Sequence, residues 1–112
     1  MNDLEINDLI EKVTGAIQNV LGDNWQQAQD FAESEAKKFV QNIAEISMWK
    51  KTGKISEEQG IVLLRMHQRS MKMVLTALEG ISLVLAERAI NAAIKVIGDI
   101  VNGIIGWNLF KT

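Results

Sequence analysis

From Glu57 to Gly106 the chain runs for about fifty residues with no proline and no polar cluster strong enough to stop a helix. As one α-helix this stretch would be roughly 75 Å long. A compact domain of about this chain length has a radius of gyration near 13 Å, so a helix of that length does not fit inside one. Either the helix breaks, with Gly80 and Gly98 as the weakest points, or the molecule is elongated and leans on partners.

The rest of the chain carries the same helical bias. Proline is absent throughout, and Ala, Leu, Ile, Glu, Lys and Gln are good helix formers, so the expected class is all-α. Asn2 or Asp3 can cap a first helix whose apolar face is Ile6, Leu9, Ile10, Val13, Ile17, Val20 and Leu21. Gly22 suits a helix C-terminus, and Asp23 or Asn24 can cap the next segment, so a break is expected there, with a kinked continuation as the alternative. The second helix is expected over about 24–51. Its core stripe is Trp25, Ala28, Ala32, Ala36, Phe39, Ile43 and Ile46, widened by Phe31 and Val40, with Glu33–Lys37 and Glu35–Lys38 pairs on its outer face. Thr52-Gly53 ends it, and Ser56 with Gln59 forms a capping box that opens a helix at residue 57. The expected architecture is one domain over 1–112, an elongated helical hairpin or a three-helix bundle. Its helices are 3–21, 24–51 and 57–106, the last open to a break near Gly80 or Gly98.

Beyond Lys72 apolar residues point almost all round the helix, and a helix of that kind must be covered on most sides. Two preceding helices cover one flank of so long a segment, which leaves area for a second copy of the chain to bury. The expected self-association surface is Leu75, Leu78, Ile81, Leu85, Ile94, Ile97, Val101, Ile104 and Trp107. Crossing a membrane needs about 18 apolar residues with few charges, whereas Glu79, Glu87, Arg88, Lys95 and Asp99 interrupt this region. What remains of a membrane reading is surface attachment through Ile104, Ile105, Trp107, Leu109 and Phe110.

Chemistry has little to work with. The chain has no cysteine, which excludes disulfides, thiolate metal sites and a cysteine nucleophile. Its single histidine, His67, has no acid at the Glu-x-x-His offset that carboxylate-bridged metal sites in helical bundles use. His67 and Ser70 share a helical face, but two polar neighbours are not a catalytic triad. Phosphate-binding glycine loops are absent. The reading is non-enzymatic, with no cofactor and no metal.

Charge is distributed unevenly. Residues 1–49 carry nine acids and three bases, residues 50–72 six bases and two acids, and residues 73–112 three of each. The basic segment gathers Lys50, Lys51, Lys54, Arg65, Arg69 and Lys72 near a helix start, where free amides add positive potential. It can therefore hold an anion such as nucleic acid or a nucleotide. The competing reading pairs Arg65, Arg69 and Lys72 with Glu35 and Glu45 across an antiparallel hairpin. Met48, Met66, Met71 and Met73 surround the same region, as an adaptable contact surface or as core filling.

The turn reads Trp49-Lys50-Lys51-Thr52-Gly53 and lacks the Trp-x-Gly turn of secreted helical-hairpin proteins of this length, so no family resemblance follows. The chain begins without a basic segment and apolar run. A cytoplasmic location, or one within a viral or other large assembly, is the expectation. The function that fits is a scaffold or assembly subunit whose main partner is itself, with other protein subunits next. An anion-binding module is the second reading, and a peripheral membrane-active protein the third.

Overall fold

The computed structural model describes residues 2–109, apart from the side chain of Asp3. Asn2 is extended, its side-chain oxygen accepts from the Glu5 amide at 2.8 Å, and the Glu5 carboxylate accepts from the Asn2 amide at 3.2 Å. This reciprocal cap starts α1, Asp3–Leu21. At Gly22 the backbone takes φ of 53°, open to glycine at little steric cost, and the chain turns through a short 3-10 segment, Gly22–Asn24, into α2, Trp25–Lys51. The Ser56–Gln59 capping box forms as the sequence predicts, with bonds of 3.1 and 2.8 Å, and opens α3, Glu57–Thr76.

The long helix-compatible stretch does break. The Thr76 hydroxyl donates back to the Lys72 carbonyl at 2.9 Å in the last turn of α3, a bond that weakens the helix ladder locally. Gly80 then adopts φ of 84°, and Ser82 caps α4, Leu83–Ile105, by accepting from the Leu85 amide at 3.1 Å. The break falls at Gly80, while Gly98 stays buried inside α4. The result is four α-helices joined by short connections.

Short connections make sequence neighbours antiparallel. α1 packs on α2 and α4, α3 packs on α2 and α4, α2 and α4 touch lightly across the middle, and α1 and α3 do not meet. This is an up-down-up-down bundle with α1 and α3 at opposite corners. Its longest dimension is 42 Å, close to the roughly 40 Å of α2 alone. The radius of gyration is 13.7 Å, so the all-α bundle forms in its compact version.

The most extensive helix pair is α1 with α4. Leu9, Val13 and Ile17 of α1 and Ala86, Ala89 and Ala93 of α4 are all buried; small alanines let the backbones approach and leave room for larger side chains on the other helix. Ala28, Ala32 and Ala36 do the same at one end of α2, and Phe39, Ile43 and Ile46 fill the other.

Within one chain, most of the residues expected for self-association are engaged in its own core. Leu75, Ile97 and Val101 are fully buried and Ile81 nearly so, Leu78, Leu85, Ile94 and Trp107 are half-buried against the same core, and Ile104 is half-buried. The break at Gly80 folds the apolar stretch back on itself, so α3 covers one flank of α4 and α1 another. One chain thereby covers much of the stretch, while Leu83, Val84, Val96 and Ile100 stay exposed.

Candidate functional site

Two apolar stripes run along α3. Gly60, Leu64, Met71 and Leu75, at spacings of four and seven, face the core. Val62, Met66 and Met73, also at four and seven, lie on the opposite side and stand 57%, 56% and 69% exposed among the described residues. Met71 is core filling, whereas Met66, Met73 and Met48 of α2 are surface residues. Phe31, expected to widen the α2 core stripe, is also exposed, because the α2 core is centred on Ala28, Ala32 and Ala36. Val40 is buried as expected.

The basic cluster divides in two. Lys50, Lys51 and Lys54 sit at the α2–α3 end of the bundle. Lys50 Nζ lies beside Gly106, 3.0 Å from where a β-carbon there would stand. It therefore approaches the C-terminal end of α4, where free carbonyls favour a cation. Arg65, Arg69 and Lys72 lie further along α3 and line its groove with α4, together with Gln68, Asn91 and Glu87.

The expected partners of these bases are not the ones found. Lys72 meets Glu87 at 3.4 Å. Glu35 is buried and pairs with Lys38 at 3.4 Å, so it lies on the inner side of α2 and not on its outer face. Glu33 accepts from Gln29 at 3.2 Å, and among the described residues no ion pair joins it to Lys37. Arg65 and Arg69 have no carboxylate within ion-pair distance among the described residues.

His67 is held by a contact that sequence reading did not find. Asn42 Nδ2 lies 3.0 Å from His67 Nδ1, between α2 and α3. An amide donating to Nδ1 places the ring proton on Nε2 and fixes the neutral tautomer. Burial lowers the His67 pKa from its ordinary value, and the charge of Glu45 opposes that shift. The contact orients a side chain between two helices and brings no nucleophile to the ring.

The C-terminal segment closes the bundle. Trp107 covers Gly60, where an added β-carbon would stand 3.0 Å from the indole. The Asn108 amide donates to Glu57 at 2.9 Å and the Leu109 amide to the Asn102 side chain at 2.8 Å. Ile105 and Leu109 are buried and Ile104 and Trp107 half-buried, so most of the set expected for membrane attachment is engaged in packing; Phe110 lies outside the described residues. Among the described residues no helix is long and apolar enough to cross a membrane, and no three acids or histidines converge as metal ligands.

Comparison with protein-family models, with curated proteins and with solved structures finds no match. The α3 outer stripe is therefore weighed on its own geometry. Its periodicity is present in the sequence. What the sequence lacks is any mark telling which of two equally spaced apolar stripes faces inward; in the fold it is the stripe of Gly60, Leu64, Met71 and Leu75.

Proposed function

We propose that this chain is a non-enzymatic, self-associating helical subunit, a scaffold or assembly component of a larger complex in the cytoplasm or within a viral or other large particle. The observation that supports this reading is the exposed row of Val62, Met66 and Met73. Isolated apolar residues on a surface need no explanation, but a row at helical spacing on a helix of otherwise ordinary amphipathicity is what a helix contact uses. Methionine suits such a surface because its side chain adapts to the partner. The association surface is thus moved from the 74–107 stretch, whose apolar side chains are largely engaged in the chain's own core, to the outside of α3. The test is absolute mass by light scattering over a range of concentrations. Wild type is expected to exceed the 12.5 kDa of one chain, and Met66→Asp to remain at it. A wild type that stays monomeric throughout rejects the reading.

A second reading rests on Arg65 and Arg69, which have no carboxylate partner among the described residues and stand beside the Lys72–Glu87 pair in the α3–α4 groove. Such a site suits phosphate, and nucleic acid binding through it would weaken steeply with salt. Arg65→Glu with Arg69→Glu would abolish that binding, while Lys50→Glu with Lys51→Glu would leave it largely intact. Binding insensitive to salt and to both pairs would reject this reading.

A further inference from the structure

Beyond Glu58, which lies beside Val62 at its start, the α3 outer face is basic as well as apolar. Arg65 and Arg69 flank Val62, Met66 and Met73, and neither arginine has a carboxylate partner among the described residues. Two copies of this face opposed across a two-fold axis would bring four arginines together, which opposes a symmetric pairing. The partner that fits is apolar and acidic.

The chain carries such a surface elsewhere. Along the outside of α1 and α2 a shallow groove is lined by Ile10, Gly15, Glu11 and Glu33, with Lys37 the one base among its lining residues. No cation pairs with Glu11 or Glu33 among the described residues. At the end of the bundle where α1 begins and α2 ends, Leu4 and Met48 stand 81% and 63% exposed. Leu4 lies seven residues before Glu11 and Met48 eleven after Lys37, spacings that put them on the same helical stripes. This side therefore combines acids without a cation partner among the described residues with uncovered apolar side chains, the electrostatic complement of the α3 face.

We infer that the self-association is heterologous: the basic, methionine-bearing outer face of α3 on one copy docks on the acidic α1–α2 face of the next. The inference rests on the self-association proposed above and specifies its partner surface. Because α1 and α3 occupy opposite corners of the bundle and do not touch, both faces are free on one copy at the same time. Each copy can then accept one neighbour and be accepted by another, and such contacts give rings or open chains and not closed dimers.

The experiment uses the full chain in two variants, Met66→Asp, which disables the α3 face, and Glu11→Lys with Glu33→Lys, which disables the α1–α2 face. All three positions are at the surface, and circular dichroism verifies folding. Wild type is expected to grow with concentration beyond two copies, more strongly at low salt, while each variant alone stays monomeric. Mixing the two is expected to give a one-to-one complex of about 25 kDa, twice the chain mass, that grows no further because only one intact pair of faces remains. Val62→Asp should behave as Met66→Asp does. A wild-type dimer that does not grow and that the Glu11→Lys, Glu33→Lys variant reproduces overturns the heterologous arrangement but leaves self-association standing. A wild-type monomer at every concentration overturns both.

Discussion

α3 and α4 come from one helix-compatible stretch, and they bury different shares of it: of its many apolar side chains α4 leaves Leu83, Val84, Val96 and Ile100 exposed. α4 is the more hydrophobic, yet Ala86, Ala89, Ile90, Ala93, Ile97, Val101 and Ile105 are buried between its neighbours. α3 is the more polar, yet it carries the uncovered row of Val62, Met66 and Met73. Hydrophobicity along a chain therefore does not say where apolar surface remains after folding. A very apolar helix attracts cover from the rest of the molecule. A moderately polar one can satisfy the core with one stripe and keep a second outside.

The largest expected effect separates the two helices directly. Ile97→Ala empties a fully buried site and should lower unfolding free energy by about 2–5 kcal/mol. Met66→Ala, at an exposed site on α3, should change it by less than about 0.5 kcal/mol. Urea denaturation of both variants reads the difference, and comparable losses would mean that the α3 outer row is packed rather than free.

A smaller effect is expected where the two regions meet. Gly60→Ala favours the helix by about 1 kcal/mol, but its new methyl group would stand 3.0 Å from the Trp107 ring and 3.2 Å from Leu109. Overpacking of this kind typically costs about 1–3 kcal/mol. A net loss of about 1 kcal/mol is expected, with Trp107 displaced toward water. Red-shifted emission, read with Trp25 and Trp49 replaced by phenylalanine, would show it; unchanged emission would place the indole elsewhere.

The smallest effect concerns His67 on the α2 side of α3. Its pKa in the folded state is lowered from about 6.5, first by burial and against the pull of Glu45. Above pH 6.5 the ring is neutral in both states and its contribution is complete. As pH falls from 6.5 toward the lowered value the unfolded chain takes up the proton first, so stability declines across that window. Protonation also removes the acceptor that Asn42 meets at 3.0 Å. His67→Gln should flatten this part of the pH profile, and an identical slope in the variant would assign it to other groups.

Much of the fold was legible in the residues. The Asn2 and Ser56 caps, the turn at Gly22 and the end of α2 at Thr52 are local features, set by hydrogen bonds and backbone freedom within a few positions, and each forms where the sequence predicts it. The break at Gly80 was one of two candidates. Gly98 has the same intrinsic weakness, but helix-helix packing across α4 holds it, whereas Gly80 stands in an exposed turn beside Gln27 and Asn24.

The candidate site was less legible, because it depends on what each side chain meets across the bundle. The sequence named Arg65, Arg69 and Lys72 but gave them Glu35 and Glu45 as partners, whereas Glu35 meets Lys38, the pair its spacing also predicts, and Lys72 meets Glu87 of α4. It marked the 74–107 stretch as apolar but not that α1 would cover it. By itself the sequence determined the helical class, the caps and most of the boundaries, since these are short-range properties of the backbone. Only the tertiary structure decided which stripe of α3 faces water and which charges stay unpaired. Burial and ion pairing arise between residues distant in the chain, and a one-dimensional pattern with two equivalent stripes does not order them.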